Sequence, residues 1–106
     1  MSEQELDQTV APLREEIDRI DRKLLELLNE RAHVVLEVGR IKHARNWPVA
    51  DMRRENLIVN NLVQQNPGPL PPKAVEKIFR NMIEEMRSME QEQNGMVQGK
   101  PNQKIT

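Results

Sequence analysis

The sequence has no cysteine, no tyrosine, one phenylalanine, one tryptophan and four glycines among 106 residues. Without cysteine there is no disulfide framework, no thiolate metal ligand and no thiol nucleophile. So few aromatic residues and glycines do not suit a β-sandwich or barrel, whose strands and turns draw on both. Charge of neither sign dominates, since 16 Lys and Arg stand against 17 Asp and Glu. A net charge of -1 supplies no bulk field for nucleic acid or an anionic membrane. No run approaches the roughly 20 apolar residues of a membrane span. The acidic start, Met1-Ser2-Glu3-Gln4-Glu5-Leu6-Asp7, lacks the basic-then-apolar pattern of a secretory signal. The expectation is a cytoplasmic protein with no membrane and no nucleic-acid partner.

What is present points to an all-α chain. Apolar residues at 37% and charged residues at 31% suit a small helical domain rather than a disordered one. From Val10 the apolar residues run Leu13, Ile17, Ile20, Leu24, Leu27, then Val34, Val38 and Ile41. Steps of three and four mark one face of a helix. Pro12 fits a first helical turn and Thr9 a cap before it. Gly39 is tolerable inside a long helix at a cost of about 1 kcal/mol. Trp47-Pro48 predicts an end near Arg45-Asn46. Asp51 caps a second helix carrying Ile58, Val59, Leu62 and Val63, which Asn66-Pro67-Gly68-Pro69 stops. Pro71-Pro72 opens a third, with Val75, Ile78, Phe79, Met82, Ile83, Met86 and Met89 on its inner face. The expected organisation is a flank over 1–9, a helical domain over 10–93 and a polar tail over 94–106.

A first helix of about 34 residues is roughly 50 Å long. A compact domain of this size has a radius of gyration of about 13 Å. The helix therefore overhangs its own domain with its apolar stripe still running. A two-fold homodimer is the simplest cover.

One position in the stripe is charged. Arg31 stands between Leu27 and Val34, where the pattern asks for an apolar side chain. Either its long stem snorkels to water or a cation among apolar turns awaits an anion. Lys42 follows after about three turns, rotated by only about 20° and displaced by about 16 Å, a gap two long side chains and a small dianion can fill. Arg14 lies about 25 Å before Arg31 and about 100° around the helix. It cannot reach the same pocket from the same helix, but an antiparallel partner chain can bring it there. Its plainer reading is an exposed Arg pairing with Asp18. His33 and His43 have no evident carboxylate partner and receive no role.

These residues also carry a resemblance. Leu13-Arg14-Glu15-Glu16-Ile17-Asp18, Leu24-Leu25-Glu26-Leu27-Leu28-Asn29-Glu30-Arg31, Glu37-Val38-Gly39-Arg40-Ile41-Lys42 and Pro48-Val49-Ala50-Asp51-Met52-Arg53-Arg54-Glu55 resemble the all-helical (AroQ-class) chorismate mutases. The resemblance covers about residues 10–93, without gaps through the first two helices. It implies an intertwined homodimeric bundle of three-helix chains with two equivalent sites. It also implies conversion of chorismate to prephenate in phenylalanine and tyrosine biosynthesis, with neither cofactor nor metal. By position, Arg31 and the partner subunit's Arg14 hold the two substrate carboxylates. Lys42 reaches a carboxylate and the ether oxygen, and Glu55 accepts from the ring hydroxyl. Asp51 assists at the start of the second helix and Arg54 orients the site. In the third helix, Met86 falls where many members carry a small polar residue, and Glu90 falls facing the ether oxygen. Read without the resemblance, Glu90 is one solvated charge among Glu84, Glu85 and Glu92.

Other readings of the same residues are a lyase releasing pyruvate from isochorismate, or a mutase acting on an amino analogue. A third is a non-catalytic helical dimer regulating another shikimate-pathway enzyme. The tight resemblance through Asp51-Met52-Arg53-Arg54-Glu55, with Glu55 available for a ring hydroxyl, favours chorismate. A complex with another shikimate-pathway enzyme is compatible with either an active or a regulatory dimer.

Overall fold

In the computed structural model, which describes residues 2–95, the first helix opens on a reciprocal cap. The Glu5 amide donates to Ser2 Oγ and the Ser2 amide to Glu5 Oε1, both at 3.1 Å. This Ser-x-x-Glu box satisfies two amides that a helix start leaves unpaired. Hydrogen bonding from the Ser2 backbone amide, and secondarily from the Ser2 side chain, also holds the Glu5 carboxyl below its ordinary pKa. Helix α1 accordingly spans Glu3–Ala44, followed by α2, Met52–Gln65, and α3, Pro72–Gln93. No strand occurs among the described residues. The fold is all-α with a long first helix, as expected.

The start of α1 is a correction. Thr9 does not cap a helix; its hydroxyl donates back to the Glu5 carbonyl at 2.8 Å. Pro12 sits inside α1 rather than in its first turn. Pro12 has no N–H for the carbonyl four residues earlier, and the helix continues through it. Arg14 pairs with Asp7 at 3.4 Å rather than with Asp18. Both partners are largely exposed, so that pair adds little stability.

The chain divides into two units, Met1–His33 and Val34–Thr106, with α1 contributing to both. In the first unit the described residues are exposed except Val10, Arg31 and Ala32, which are half-buried. The expected stripe is therefore open to solvent: Leu13, Ile17, Ile20, Leu24 and Leu27 are all 44–62% exposed.

The second unit contains the core. Helix α2 packs on α3, and Val49, Val59, Val75, Ile83 and Met86 are buried, Val59 to 1% exposure. Ile78, expected on the inner face of α3, is instead 53% exposed. Helix α1 ends in a Schellman turn. The Trp47 amide donates to the Lys42 carbonyl at 2.8 Å and the Asn46 amide to that of His43 at 3.2 Å. Asn46 takes the left-handed conformation there, φ 57°, which Asn tolerates better than most residues. This turn sends Trp47-Pro48-Val49 back past the end of α1, and the Arg45 guanidinium lies 5.1 Å from the Trp47 ring centroid. Asp51 caps α2, its Oδ1 accepting from the Arg54 amide at 3.1 Å. Asn66 closes the next turn, accepting from the Gly68 amide at 3.1 Å and donating to the Leu70 carbonyl at 2.7 Å. Pro72 then opens α3 at its first position, where a missing N–H costs nothing. Of the tail expected over 94–106, residues 96–106 lie outside the described residues.

Candidate active site

Two helices of the second unit bring a cation and an acid together. Lys42, in the last turn of α1, directs its ammonium to the Val49 carbonyl at 2.9 Å. The same Nζ stands 3.9 Å from Glu90 Oε2 of α3. That separation allows ion pairing but exceeds the reach of a good hydrogen bond. Glu90 is 6% exposed, and its Oε2 has no hydrogen-bond partner. Burial raises the Glu90 pKa above its ordinary value, and the Lys42 charge opposes the rise without reversing it. The solvated-charge reading of Glu90 is thus incorrect. The spacing of α3 that buries Ile83 and Met86 carries Glu90 to the same interior.

Gly39 is the buried residue of α1 among those described. Asn94, just beyond α3, donates from Nδ2 to the Gly39 carbonyl at 3.1 Å.

A second charged pair joins α2 to α3. Glu55 Oε2 accepts from Arg87 Nη1 in a close ion pair, and both side chains are largely buried. Arg87→Met would leave the Glu55 carboxylate enclosed without its partner. The expected loss is about 1.5–3 kcal/mol of folding stability, the range for hydrogen bonds to charged groups. It would appear as a lower urea midpoint at unchanged slope; an unchanged midpoint would deny the pair a stabilising role.

The remaining candidates are distributed as follows. Met86 is buried on the same face of α3 as Glu90, one turn earlier. Asp51 uses one carboxylate oxygen for its cap, and Arg54 is exposed beside it. Arg14 and Arg31 belong to the first unit, Arg14 exposed and Arg31 half-buried. Three residues of the arrangement were not assigned from sequence: Arg87, Asn94 and, beyond its tolerated cost, Gly39. Gly39 did carry a signal, because a glycine in a helix interior usually has a packing reason. Arg87 carried none, since its partner lies 32 residues away. Among the described residues, no three His, Cys, Asp or Glu side chains converge to hold a metal, and no helix is long and apolar enough to cross a membrane.

Comparison with known proteins places the chain among relatives. The profile of the family described as "Chorismate mutase type II" matches residues 13–91. The chain is 39% identical over 82 residues to the bifunctional chorismate mutase/prephenate dehydratase of Aquifex aeolicus, covering 74% of this chain and 23% of that protein. It is 34% identical over 93 residues to the protein of the same name from Stutzerimonas stutzeri, covering 82% of this chain and 25% of the other. The chain thus spans about a quarter of the length of these relatives. A solved chorismate mutase structure (form II) from Thermus thermophilus superposes with a TM-score of 0.77 at 34% identity, covering 78% of this chain and 94% of that one.

Proposed function

The chain belongs to the chorismate mutase type II family, and from that premise we propose that it is an isomerase converting chorismate to prephenate. The observation that carries the reading is the Lys42 ammonium 3.9 Å from a buried Glu90 oxygen that has no hydrogen-bond partner. The reaction is a unimolecular pericyclic rearrangement, in which a C–C bond forms as the ether C–O bond breaks. It needs no nucleophile. Catalysis therefore rests on holding a flexible dianion in a chair-like conformer and on meeting the negative charge that develops at the ether oxygen.

Arg31 and the partner subunit's Arg14 would clamp the two carboxylates, since guanidinium–carboxylate pairs are directional. Lys42 supplies one donor to the ether oxygen and protonated Glu90 the other. Glu55 accepts from the ring hydroxyl. A carboxylate has about four acceptor sites, so the ion pair with Arg87 leaves room for that bond. Asp51 keeps the start of α2 in place, Arg54 orients the rim, and Met86 lines the pocket without contributing a side-chain donor.

The site is shared between two chains in this reading. The bare stripe from Leu13 to Leu27 supports a second copy as its cover. Each half-exposed Leu or Ile withdrawn from water contributes on the order of 1 kcal/mol. The relatives fused to a prephenate dehydratase favour a place in aromatic amino acid biosynthesis, in the cytoplasm, and a complex with another enzyme of that pathway.

The test is a chorismate-disappearance assay on purified protein, with the product identified chromatographically. Prephenate is expected. Release of pyruvate would identify a lyase, and a folded dimer without turnover would leave only a regulatory role.

The protonation state of Glu90 gives a second test. Burial disfavours its ionised form, so the folded chain loses stability as pH rises past the ordinary glutamate pKa and through the raised one. Activity should fall in the same direction, because only the neutral acid donates to the ether oxygen. Glu90→Gln should flatten the profile; the same pH dependence in both proteins would refute the assignment.

A further inference from the structure

The backbone of Gly39 lies where the Glu90 side chain passes between α3 and the end of α1. A Cβ at position 39 would stand 2.5 Å from Glu90 Cγ, 3.0 Å from Oε2 and 3.2 Å from Cδ. These are the three nearest heavy atoms, and all belong to Glu90. Cγ is in the middle of the side chain. It cannot yield without carrying the carboxyl away with it. Glu90 is buried, with buried Ile83 and Met86 along the same helix, so the displaced carboxyl has little free space to enter.

The other partners of this contact are tied down. Asn94 donates from Nδ2 to the Gly39 carbonyl at 3.1 Å, while its own amide donates to the Glu90 carbonyl at 3.3 Å. One residue therefore fastens the turn bearing Glu90 to the turn bearing Gly39. Lys42 is one helical turn beyond Gly39, about 4.5 Å along the same face. Its ammonium is held by the Val49 carbonyl at 2.9 Å. A shift of Glu90 would not be followed by the cation it faces.

We propose that Gly39 is a positioning residue, whose missing side chain, with Asn94 as the tether, sets where the Glu90 carboxyl stands relative to the Lys42 ammonium. This rests on the reading of Glu90 as a donor to the ether oxygen. Gly39 touches no substrate; it acts through Glu90. A purely local role for glycine is the alternative, and helix physics separates the two. Alanine is the better helix former by about 1 kcal/mol, so substitution at an uncrowded position should stabilise the helix.

The experiment compares the wild-type protein with Gly39→Ala, Glu90→Ala and the double variant, measuring kcat, KM for chorismate and the thermal midpoint. Gly39→Ala should lower kcat about tenfold or more, at nearly unchanged KM, and lower the midpoint, since the crowding of Glu90 outweighs the gain in propensity. In the Glu90→Ala background, where Cγ is gone, Gly39→Ala should leave kcat within about twofold and raise the midpoint. Equal falls in kcat in both backgrounds would overturn the proposal while leaving Glu90 its role. Wild-type kcat in Glu90→Ala would overturn the Glu90 reading, and the proposal with it. If Gly39→Ala does not yield folded protein, Asn94→Ala adds no atom and removes the tether. Its kcat should fall at constant KM, and the fall should vanish with Glu90→Ala; a fall that persists there rejects the proposal.

Discussion

Lys42→Ala is expected to lose about 3–4 kcal/mol of transition-state stabilisation, the cost typical of removing an oxyanion donor. In kinetic terms this is a fall of roughly 10²–10³-fold in kcat/KM, expressed mainly in kcat. The reason lies in timing. Negative charge at the ether oxygen grows as the C–O bond breaks, so a fixed ammonium there does more for the transition state than for bound chorismate. The substitution also removes the charge that opposes the raised Glu90 pKa. Glu90 should then stay protonated to higher pH, and the residual activity should decline at higher pH than in wild type. Circular dichroism would verify that α1 still forms, since the Val49 carbonyl loses its side-chain donor as well. A modest change confined to KM would contradict the proposed role.

Arg14→Ala and Arg31→Ala chains are each expected to be inactive and to restore activity when mixed. In the proposed site each Arg clamps one carboxylate of a dianion, so losing either would leave the substrate in unreactive conformers. If Arg14 crosses to the partner's site, a heterodimer of the two variants has one site with both guanidiniums and one with neither. Random exchange at equal concentrations makes about half of the dimers mixed, so about one quarter of wild-type turnover should return. Verified heterodimers without activity would exclude a shared site. Activity retained by Arg14→Ala alone would leave that residue in its surface pair with Asp7, 3.4 Å away.

Much of the fold was readable because it follows from periodicity and punctuation. The three-and-four spacing from Leu13 onward, Asp51 before α2, Asn66-Pro67-Gly68-Pro69 after it and Pro72 at the start of α3 each act through local backbone chemistry. The start of α1 was equally local but was obscured by Pro12. The Ser2–Glu5 box was present in the sequence, well ahead of the first clear apolar step. Ile78 was misplaced because periodicity assigns a face to a helix and cannot say how far along that face a neighbour extends. Within the site, Lys42 and Glu90 were named, but Glu90 through resemblance rather than spacing, since its neighbours Glu84, Glu85 and Glu92 are polar. The Glu55–Arg87 pair and the Gly39–Asn94 bond join residues 32 and 55 positions apart. Nothing in a linear pattern relates such partners; packing of α3 against its neighbours creates them.

The Lys42 amine is anchored by a peptide oxygen, a group with no proton to gain or lose across the biological range. That anchor is therefore indifferent to acidity, while the acid on the other side of the amine is not. In the proposed site, acidity would retune the charge on one side of the amine while its tether on the other side stays unaltered, so anchoring and charge are assigned to separate parts of the chain.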